Sequence, residues 1–453
     1  AAGVWTYRSR SQRDKVAALT ALRKQQWLRP GDLAALQDRK LQRLVQHAFA
    51  NVPYFRRVME ERGIRPEQIR SARDLVKLPV LTKQVIRERG HELRALGGVE
   101  APELVRANHT GGSTGTPLTF YQDEQYRMWN EMDLVRNFDL CGYQTGDPLA
   151  FLWGSDYDAR PYRTLRGKAR NYVLNTLFLD AFDSSEEDLV AYARLLAWFQ
   201  PRLLVGYVSS LVLLAYVIEA RGLRGVRPHA IQSSAESLTP AQRELLETRF
   251  ACPVFNRYGC REVGNLAHEC EAHAGLHILA DNNIVEVVRD AGAVEPGVEG
   301  QIVVTNLNNY AMPFIRYETG DIGVAGDAEP CPCGRGLPLM RAVVGRSSDI
   351  IVSPSGKLLH GEFFTHLFYK TPGVKEFQVV QRDLRRLEIS LVAGSGFEEG
   401  AVTRFLRHAI RTYGDPAFDI RFTVSERILP SVSGKFRFTV SEVPLQLGCK
   451  GTS

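Results

Sequence analysis

Apolar residues recur at three- and four-residue intervals from Leu33 to Phe49, the spacing of a helix that buries one face, and Pro53 and Pro79 punctuate the segments that follow. Roughly the first hundred residues therefore predict a helical lead-in. From about Leu149 the pattern changes to short apolar runs separated by helical stretches: Leu149 to Trp153, Leu203 to Val208, the helix-like Leu211 to Ala220, Ala230 to Ser234, and Val254 to Arg257. Strands alternating with helices predict a mostly parallel sheet covered on both faces. One helix start is explicit, because Thr239 is a good N-cap, Pro240 suits the first helical position, and Gln242 completes a capping box ahead of Leu245, Leu246 and Phe250.

Farther along, Ile284 to Val288 and Gln301 to Thr305 predict an antiparallel pair joined through Glu295-Pro296-Gly297. After Gly345 a smaller α+β pattern follows, with strands near Phe377 to Gln381, Leu387 to Val392 and Asp419 to Val424, and a helix near Gly400 to Tyr413. The expected fold is α/β, with a large N-terminal body over 1–345 built on mixed, mostly parallel sheets and helices. A small, mobile α+β lid over 346–453 completes it, hinged near Arg346 to Asp349. No repeat or low-complexity segment interrupts the pattern.

Composition adds exclusions. The 453 residues are 44% hydrophobic and 24% charged, with a net charge of +6, and basic residues are interleaved with acids. That balance suits an anionic small ligand such as ATP at least as well as a nucleic acid, and nucleic acid is not an expected partner. No run of about 18 apolar residues is present, the longest candidate being Leu211 to Ile218, so membrane insertion is not expected. No apolar core follows Arg8, Arg10, Arg13 and Lys15, so no signal peptide is expected and cytoplasm is the default location. Seven cysteines, an odd number, argue against a disulfide framework.

The chemistry begins at His109-Thr110-Gly111-Gly112-Ser113-Thr114-Gly115-Thr116-Pro117. Glycines and small hydroxyl residues at this density let backbone N–H groups and hydroxyls close on phosphate oxygens, yet the lysine of a P-loop is missing. Alone the stretch reads equally well as a turn. Three more elements keep it company. Arg257-Tyr258-Gly259-Cys260-Arg261-Glu262 ends a strand in a carboxylate that can hold Mg²⁺. Pro313-Phe314-Ile315-Arg316-Tyr317-Glu318-Thr319-Gly320-Asp321 ends in a carboxylate that can accept two ribose hydroxyls. Gly345-Arg346-Ser347-Ser348-Asp349 is followed much later by Ser433-Gly434-Lys435, a mobile point charge suited to meeting an oxyanion.

Four such elements in this order resemble the adenylate-forming (acyl-AMP) enzyme superfamily, and within it the phenylacetate-coenzyme A ligase-like branch that includes relatives linked to capsule biosynthesis. The resemblance spans nearly the whole chain, from Asn51-Val52-Pro53-Tyr54-Phe55 and Leu78-Pro79-Val80-Leu81-Thr82-Lys83 to Ser433-Gly434-Lys435-Phe436-Arg437. It implies that Ser113, Thr114, Gly115 and Thr116 hold the ATP phosphates and that Ala235 and Glu236, in Ser234-Ala235-Glu236-Ser237, lie against adenine. It also implies that Tyr258 stacks near adenine, Glu262 binds Mg²⁺, Asp321 holds the ribose with Arg346, and Lys435 bridges carboxylate and α-phosphate. The implied reaction is activation of a carboxylic acid as its adenylate with release of pyrophosphate, then acyl transfer to an amine or to a thiol such as coenzyme A.

Departures from the family pattern sharpen the expectation. Arg261 stands where threonine is common and would add a cation at the substrate carboxylate or phosphate. Ser348 replaces the first of two hinge acids, leaving Asp349 as the pivot. Ile351 to Lys357 lacks the glycine-asparagine-valine-phenylalanine sequence of aryl-coenzyme A ligases, which weakens the case for a thioester and makes an amine acceptor plausible.

Cys270, Cys331 and Cys333 with one of His273 or His277 would complete a Cys₃His set for structural zinc, and the resemblance favours His277. Reduced cysteines without metal are the alternative. Cys260 is expected to line the active site, His109 reads evenly as a substrate contact or a loop histidine, and Trp153, Tyr207 and Trp129 are candidates for an acyl pocket or for plain core. Two other functions fit parts of the pattern: a non-catalytic, zinc-stabilised nucleotide- or nucleic-acid-binding protein, and a kinase-like phosphotransferase. A mobile lysine far along the chain from the nucleotide loop favours the ligase. The sequence leaves open the acid, the acceptor, and whether the protein is a monomer or homodimer.

Overall fold

The computed structural model describes residues 10–99, 102–109, 118–153, 164, 171–180, 186–290, 292–327, 329–346, 351–355, 358–359, 363–364, 367–368, 371–428 and 438–443. The lead-in is helical, with helices over Arg10–Gln25, Pro30–Asn51, Pro53–Glu61 and Lys83–Arg89. Leu33, Leu41, Leu44, Val45 and Ala48 form the buried stripe of the second, as its periodicity predicts. Proline opens both the second and third helices at their first turns, where its missing N–H costs nothing.

Strands β1 (Arg106–His109) and β2 (Thr119–Gln122) pair antiparallel, with His109 opposite Thr119. A twelve-stranded mixed sheet then dominates the larger part of the chain. Its parallel run has the order β4 (Thr176–Asp180), β3 (Leu149–Trp153), β5 (Leu203–Tyr207), β6 (Ala230–Ser234), β7 (Val254–Cys260). Beyond β7 the sheet continues through β8 (Gly264–Glu269) and β9 (Leu276–Ile278), both antiparallel, and then through β14 (Leu339–Arg346) and β13 (Tyr317–Ala325). It ends in β12 (Glu299–Asn306), β10 (Asn283–Arg289) and β11 (Gly292–Ala293). The parallel strands are thus one continuous half of a mixed sheet.

The helices Glu186–Phe199, Val208–Ala220 and Pro240–Phe250 cover one face of that half through Leu189, Leu196, Leu211, Leu214, Ile218, Leu246 and Phe250. The other face buries Leu149, Leu203, Val205, Ala230 and Phe255 against Phe138 of the Glu124–Leu140 helix. The Pro240 helix starts with the expected capping box: Thr239 Oγ1 accepts from Gln242 N at 3.2 Å, and Gln242 Oε1 accepts from Thr239 N at 3.0 Å. The expected antiparallel pair is β10 with β12, Ile284 opposite Thr305. β4 was not expected from the pattern.

Contacts divide the chain into two compact units, the larger running to Thr319 and resuming over Val324–Ala342, the smaller holding Gly320–Gly323 and the chain from Val343 onward. The smaller unit has a four-stranded sheet in the order β19 (Asp419–Ser425), β18 (Arg386–Ala393), β17 (Val374–Gln381), β20 (Thr439–Ser441). Its helix Glu399–Ala409 and a cluster of Phe364, Phe368, Phe377, Leu391 and Leu406 make a separate core, in which Phe368 and Phe377 stack at 4.3 Å. Among the described residues no helix is long and apolar enough to cross a membrane.

Candidate active site

The turn that joins β7 to β8 positions the first carboxylate. Gly259 is required there, because a Cβ would lie 2.4 Å from the Gly264 carbonyl oxygen across the hairpin, and a register shift falls at Tyr258/Gly259. Arg261 and Glu262 occupy the resulting turn. Gln122, at the end of β2, donates from Nε2 to the carbonyl of Arg261 at 2.9 Å and to that of Glu262 at 3.3 Å. The hairpin that brackets residues 110–117 is thereby pinned to the Glu262 turn. Glu262 itself is buried, and its Oε1 accepts from the phenol of Tyr317 at 2.8 Å.

Tyr317 and Thr319 come from the start of β13. The Tyr258 hydroxyl donates to Thr319 Oγ1 at 3.3 Å, and Thr319 Oγ1 donates to Ile302 O at 3.1 Å. Lys83 donates to the Thr319 carbonyl at 2.7 Å, and Leu81 bridges to Tyr317, so the Leu78–Lys83 segment braces the same strand. Arg316, just before it, holds a left-handed φ of 52°, a conformation that costs a non-glycine residue about 1–2 kcal/mol. A bidentate pair with Glu286 and a bond from Nη1 to Leu78 O lock it there.

Two expected adenine contacts have definite placements. Ala235 follows β6 with φ at 67°, so the chain makes a sharp exit from the carboxyl edge of the sheet. The Glu236 carboxylate turns back to the Val208–Ala220 helix, accepting from Ser209 N at 2.6 Å and Ser209 Oγ at 2.9 Å. It caps that helix, whose preceding residue Tyr207 supplies no cap. Asp321 is partly buried within β13 and Arg346 ends β14. Ser113, Thr114, Gly115, Thr116, Asp349 and Lys435 lie outside the described residues. His109 contacts Thr119 Oγ1 at 3.0 Å through Nδ1. Trp153 and Tyr207 stack at 4.3 Å, whereas Trp129 lies under the Lys40 ammonium, away from that pair.

A second site is built at β9 and the residues before β14. One ligand atom from each of Cys270, His277, Cys331 and Cys333 can be chosen so that all four lie within 4.8 Å of one another. Cys270 Sγ is 3.6 Å from Cys331 Sγ, and Cys333 Sγ is 3.3 Å from His277 Nε2. Tetrahedral zinc, with bonds of about 2.3 Å to sulfur and 2.0–2.1 Å to nitrogen, needs edges of about 3.8 and 3.6 Å. Those two edges lie within a few tenths of an ångström of the tetrahedral values, and three thiols with one imidazole are a donor set that suits the ion. His277 Nδ1 donates to Leu337 O at 3.1 Å, which leaves Nε2 unprotonated and facing the sulfurs. His273 is not part of this set; it pairs with Glu269. Burial raises the pKa of the Cys270 thiol; at Cys333 burial also pushes upward, but the backbone N–H and side chain of Arg335 and the neighbouring thiols outweigh it and lower the pKa.

Sequence reasoning singled out Glu262, Tyr258 and Asp321 but missed Tyr317, Thr319, Gln122 and Lys83. Tyr317 and Thr319 alternate in a strand-like run, a pattern that marks a shared face without saying what it meets.

Comparison with known proteins gives relatives over most of the chain. The C-terminal residues 351–442 match the CapK C-terminal domain. The chain is 29% identical over 332 residues to the phenylacetate-coenzyme A ligase of Thermus thermophilus, covering 71% of this chain and 72% of that protein. It is 23% identical over 420 residues to Protein CapK of Staphylococcus aureus, covering 91% and 90%. These similarities support the phenylacetate-coenzyme A ligase-like branch of the adenylate-forming enzymes as the group this chain resembles. The relatives mark the chain as an AMP-forming ligase. Its fold is that of solved adenylate-forming ligases: 2-hydroxyisobutyryl-CoA ligase in the postadenylation state with 2-HIB-AMP superposes with a TM-score of 0.71 at 19% identity, over 90% of this chain and 89% of that one.

Proposed function

We propose that this ligase activates a carboxylic acid as its acyl-adenylate at the expense of ATP, releases pyrophosphate, and passes the acyl group to the thiol of coenzyme A. The observation that carries the reading is the pairing of Glu262 with Tyr317 and of Tyr258 with Thr319, which fastens the β7–β8 turn to the head of β13. Those two segments are the ones whose family counterparts hold nucleotide and metal, and the phenylacetate-coenzyme A ligase of Thermus thermophilus is among the relatives.

Ser113, Thr114, Gly115 and Thr116 would hold the phosphates of ATP, Tyr258 and the backbone at Ala235 would bound the adenine, and Asp321 with Arg346 would hold the ribose. The buried carboxylate of Glu262 suits Mg²⁺, which when bound neutralises phosphate charge. Attack of one anion on another is the barrier to be overcome, so Arg261 and Lys435 would lower it electrostatically from opposite ends of the sequence. Residues 346–453, pivoting at Asp349, would deliver Lys435. The cysteine and histidine set would hold zinc as a closed structural centre, away from the chemistry. A cytoplasmic location suits these substrates.

Coenzyme A is favoured over an amine by the activity of the phenylacetate-coenzyme A ligases among the relatives, against the weaker signal from Ile351 to Lys357. The test is acid-dependent ATP–pyrophosphate exchange over a panel of acids, followed by product analysis with coenzyme A and with hydroxylamine. Exchange that is lost in Lys435→Ala is expected. Absence of exchange with every acid, or exchange indifferent to Lys435→Ala, would overturn the mechanism, and a hydroxamate without any thioester would overturn the acceptor.

A further inference from the structure

Five residues, from Asp180 to Arg257, end the parallel half of the sheet in a single registered row. Trp153 pairs with Asp180 on one side, and the same β3–β5 register carries it opposite Tyr207, which lies opposite Ser234. One step past Ser233↔Asn256, Ser234 falls opposite Arg257. The row beneath is Phe151, Val205, Gln232 and Phe255. The upper row therefore stands at the carboxyl ends of the strands, on the face where the lower row forms a largely apolar floor, and ligands of open α/β sheets bind at such ends.

Arg257 is out of place in that row unless something anionic meets it. Its Nε donates to Asn265 Oδ1 at 2.6 Å and its Nη1 to Ser234 Oγ at 2.9 Å, both neutral acceptors. A guanidinium has five N–H donors, so the described partners leave several unused. Other enclosed arginines meet carboxylates: Arg136 has Asp133 and Asp281, Arg316 has Glu286, Arg243 has Glu269, and Arg335 has Glu271. Among the described residues none reaches Arg257. Burial without a counter-charge pulls its pKa down to about 10, while the residue keeps partial access to solvent. Enclosed cations are normally paired, and a fixed, unpaired guanidinium fork matches a carboxylate bidentately.

We propose that Arg257 is a specificity-determining residue that binds a second anionic group on the acid substrate, so that the preferred substrates carry a carboxylate beyond the one being activated. Ser234 and Asn265 hold the guanidinium plane, and the stacked Trp153 and Tyr207 give the adjoining wall, which suits a flat or apolar middle between the two acid groups. The inference rests on the ligase reading above and adds the substrate class.

The test uses the full chain in ATP–pyrophosphate exchange with matched acids: phenylacetate against 4-carboxyphenylacetate, hexanoate against adipate, within a wider set of such pairs. Wild type is expected to favour the second member by about tenfold or more in kcat/KM, because a site built to bond a polar group rejects the analogue lacking it. In R257M that ratio is expected to fall to one or below, and in R257K to lie between. Wild-type exchange with the simple acids at equal or better kcat/KM, or an unchanged ratio in R257M, would overturn the assignment and leave the ligase reading intact. Exchange with no acid of either class would instead overturn the ligase reading, and this inference with it. Should R257M fail to accumulate, S234A decides the matter together with the wild-type ratios, and a severalfold loss of preference is expected.

Discussion

Replacing Tyr317 by phenylalanine removes one hydroxyl from the centre of the site and little else. The ring is fully buried and packs edge-on against Phe314 at 4.9 Å and 73°, contacts that phenylalanine keeps. What disappears is the 2.8 Å bond to Glu262 Oε1. A hydrogen bond to a charged group contributes about 1.5–3 kcal/mol, and each 1.36 kcal/mol of lost transition-state stabilisation is tenfold in rate. Part of the loss falls on the folded state in general, since the carboxylate is buried and left short of a donor. The remainder falls on the reaction, because the carboxylate no longer has a fixed orientation. The expected result is a fall of about 10- to 100-fold in kcat/KM for ATP–pyrophosphate exchange, with a higher Mg²⁺ concentration needed for half-maximal rate. Glu262→Gln should fall further. Exchange and Mg²⁺ dependence within twofold of wild type in Tyr317→Phe, alongside a collapse in Glu262→Gln, would refute the claim that the phenol positions the carboxylate.

Three further outcomes follow from other parts of the molecule. Purified protein should contain one zinc per chain by elemental analysis, and chelation or Cys331→Ser should lower the melting temperature and expose thiols to a thiol reagent; full thiol reactivity in untreated protein would exclude the metal. Arg136 is fully buried between Asp133 and Asp281, so Arg136→Met strands two buried carboxylates and should destabilise by about 3–5 kcal/mol in urea unfolding, with an effect under about 1 kcal/mol refuting the pairing. His47, held neutral chiefly by burial and in contact with Tyr310 O at 2.9 Å, has its pKa lowered below 6.5. The unfolded chain then binds the extra proton, so stability is lost as pH falls below 6.5, and His47→Gln should flatten that part of the melting-temperature profile.

Much of the larger unit is legible in spacing alone. The Pro240 helix declares its own start, and the runs at Leu149, Leu203, Ala230 and Val254 declare strands, because a strand or a cap is specified by residues within four positions of each other. Glu262 and the three cysteines were visible for the same reason, each sitting in a short, chemically marked segment. Glu236 shows the limit. Its place in Ser234-Ala235-Glu236-Ser237 pointed toward adenine, yet its carboxylate caps a helix that begins 28 residues earlier in the chain. That partner is fixed by the packing of β6 beside β5.

The sequence by itself determined many of the helices and strands, several of the residues that carry chemistry, and the branch of ligases they resemble. The tertiary structure decided which of those residues meet. It chose His277 over His273 for the cysteine cluster, because β9 pairs with β14 and lies beside Cys333, while His273 is drawn to Glu269. It joined Tyr317 to Glu262, and it aligned Trp153, Tyr207, Ser234 and Arg257 in one row. Local patterns follow from steric and hydrogen-bonding rules that act within a few residues. Register between strands more than twenty residues apart is set only when the whole sheet buries its faces together.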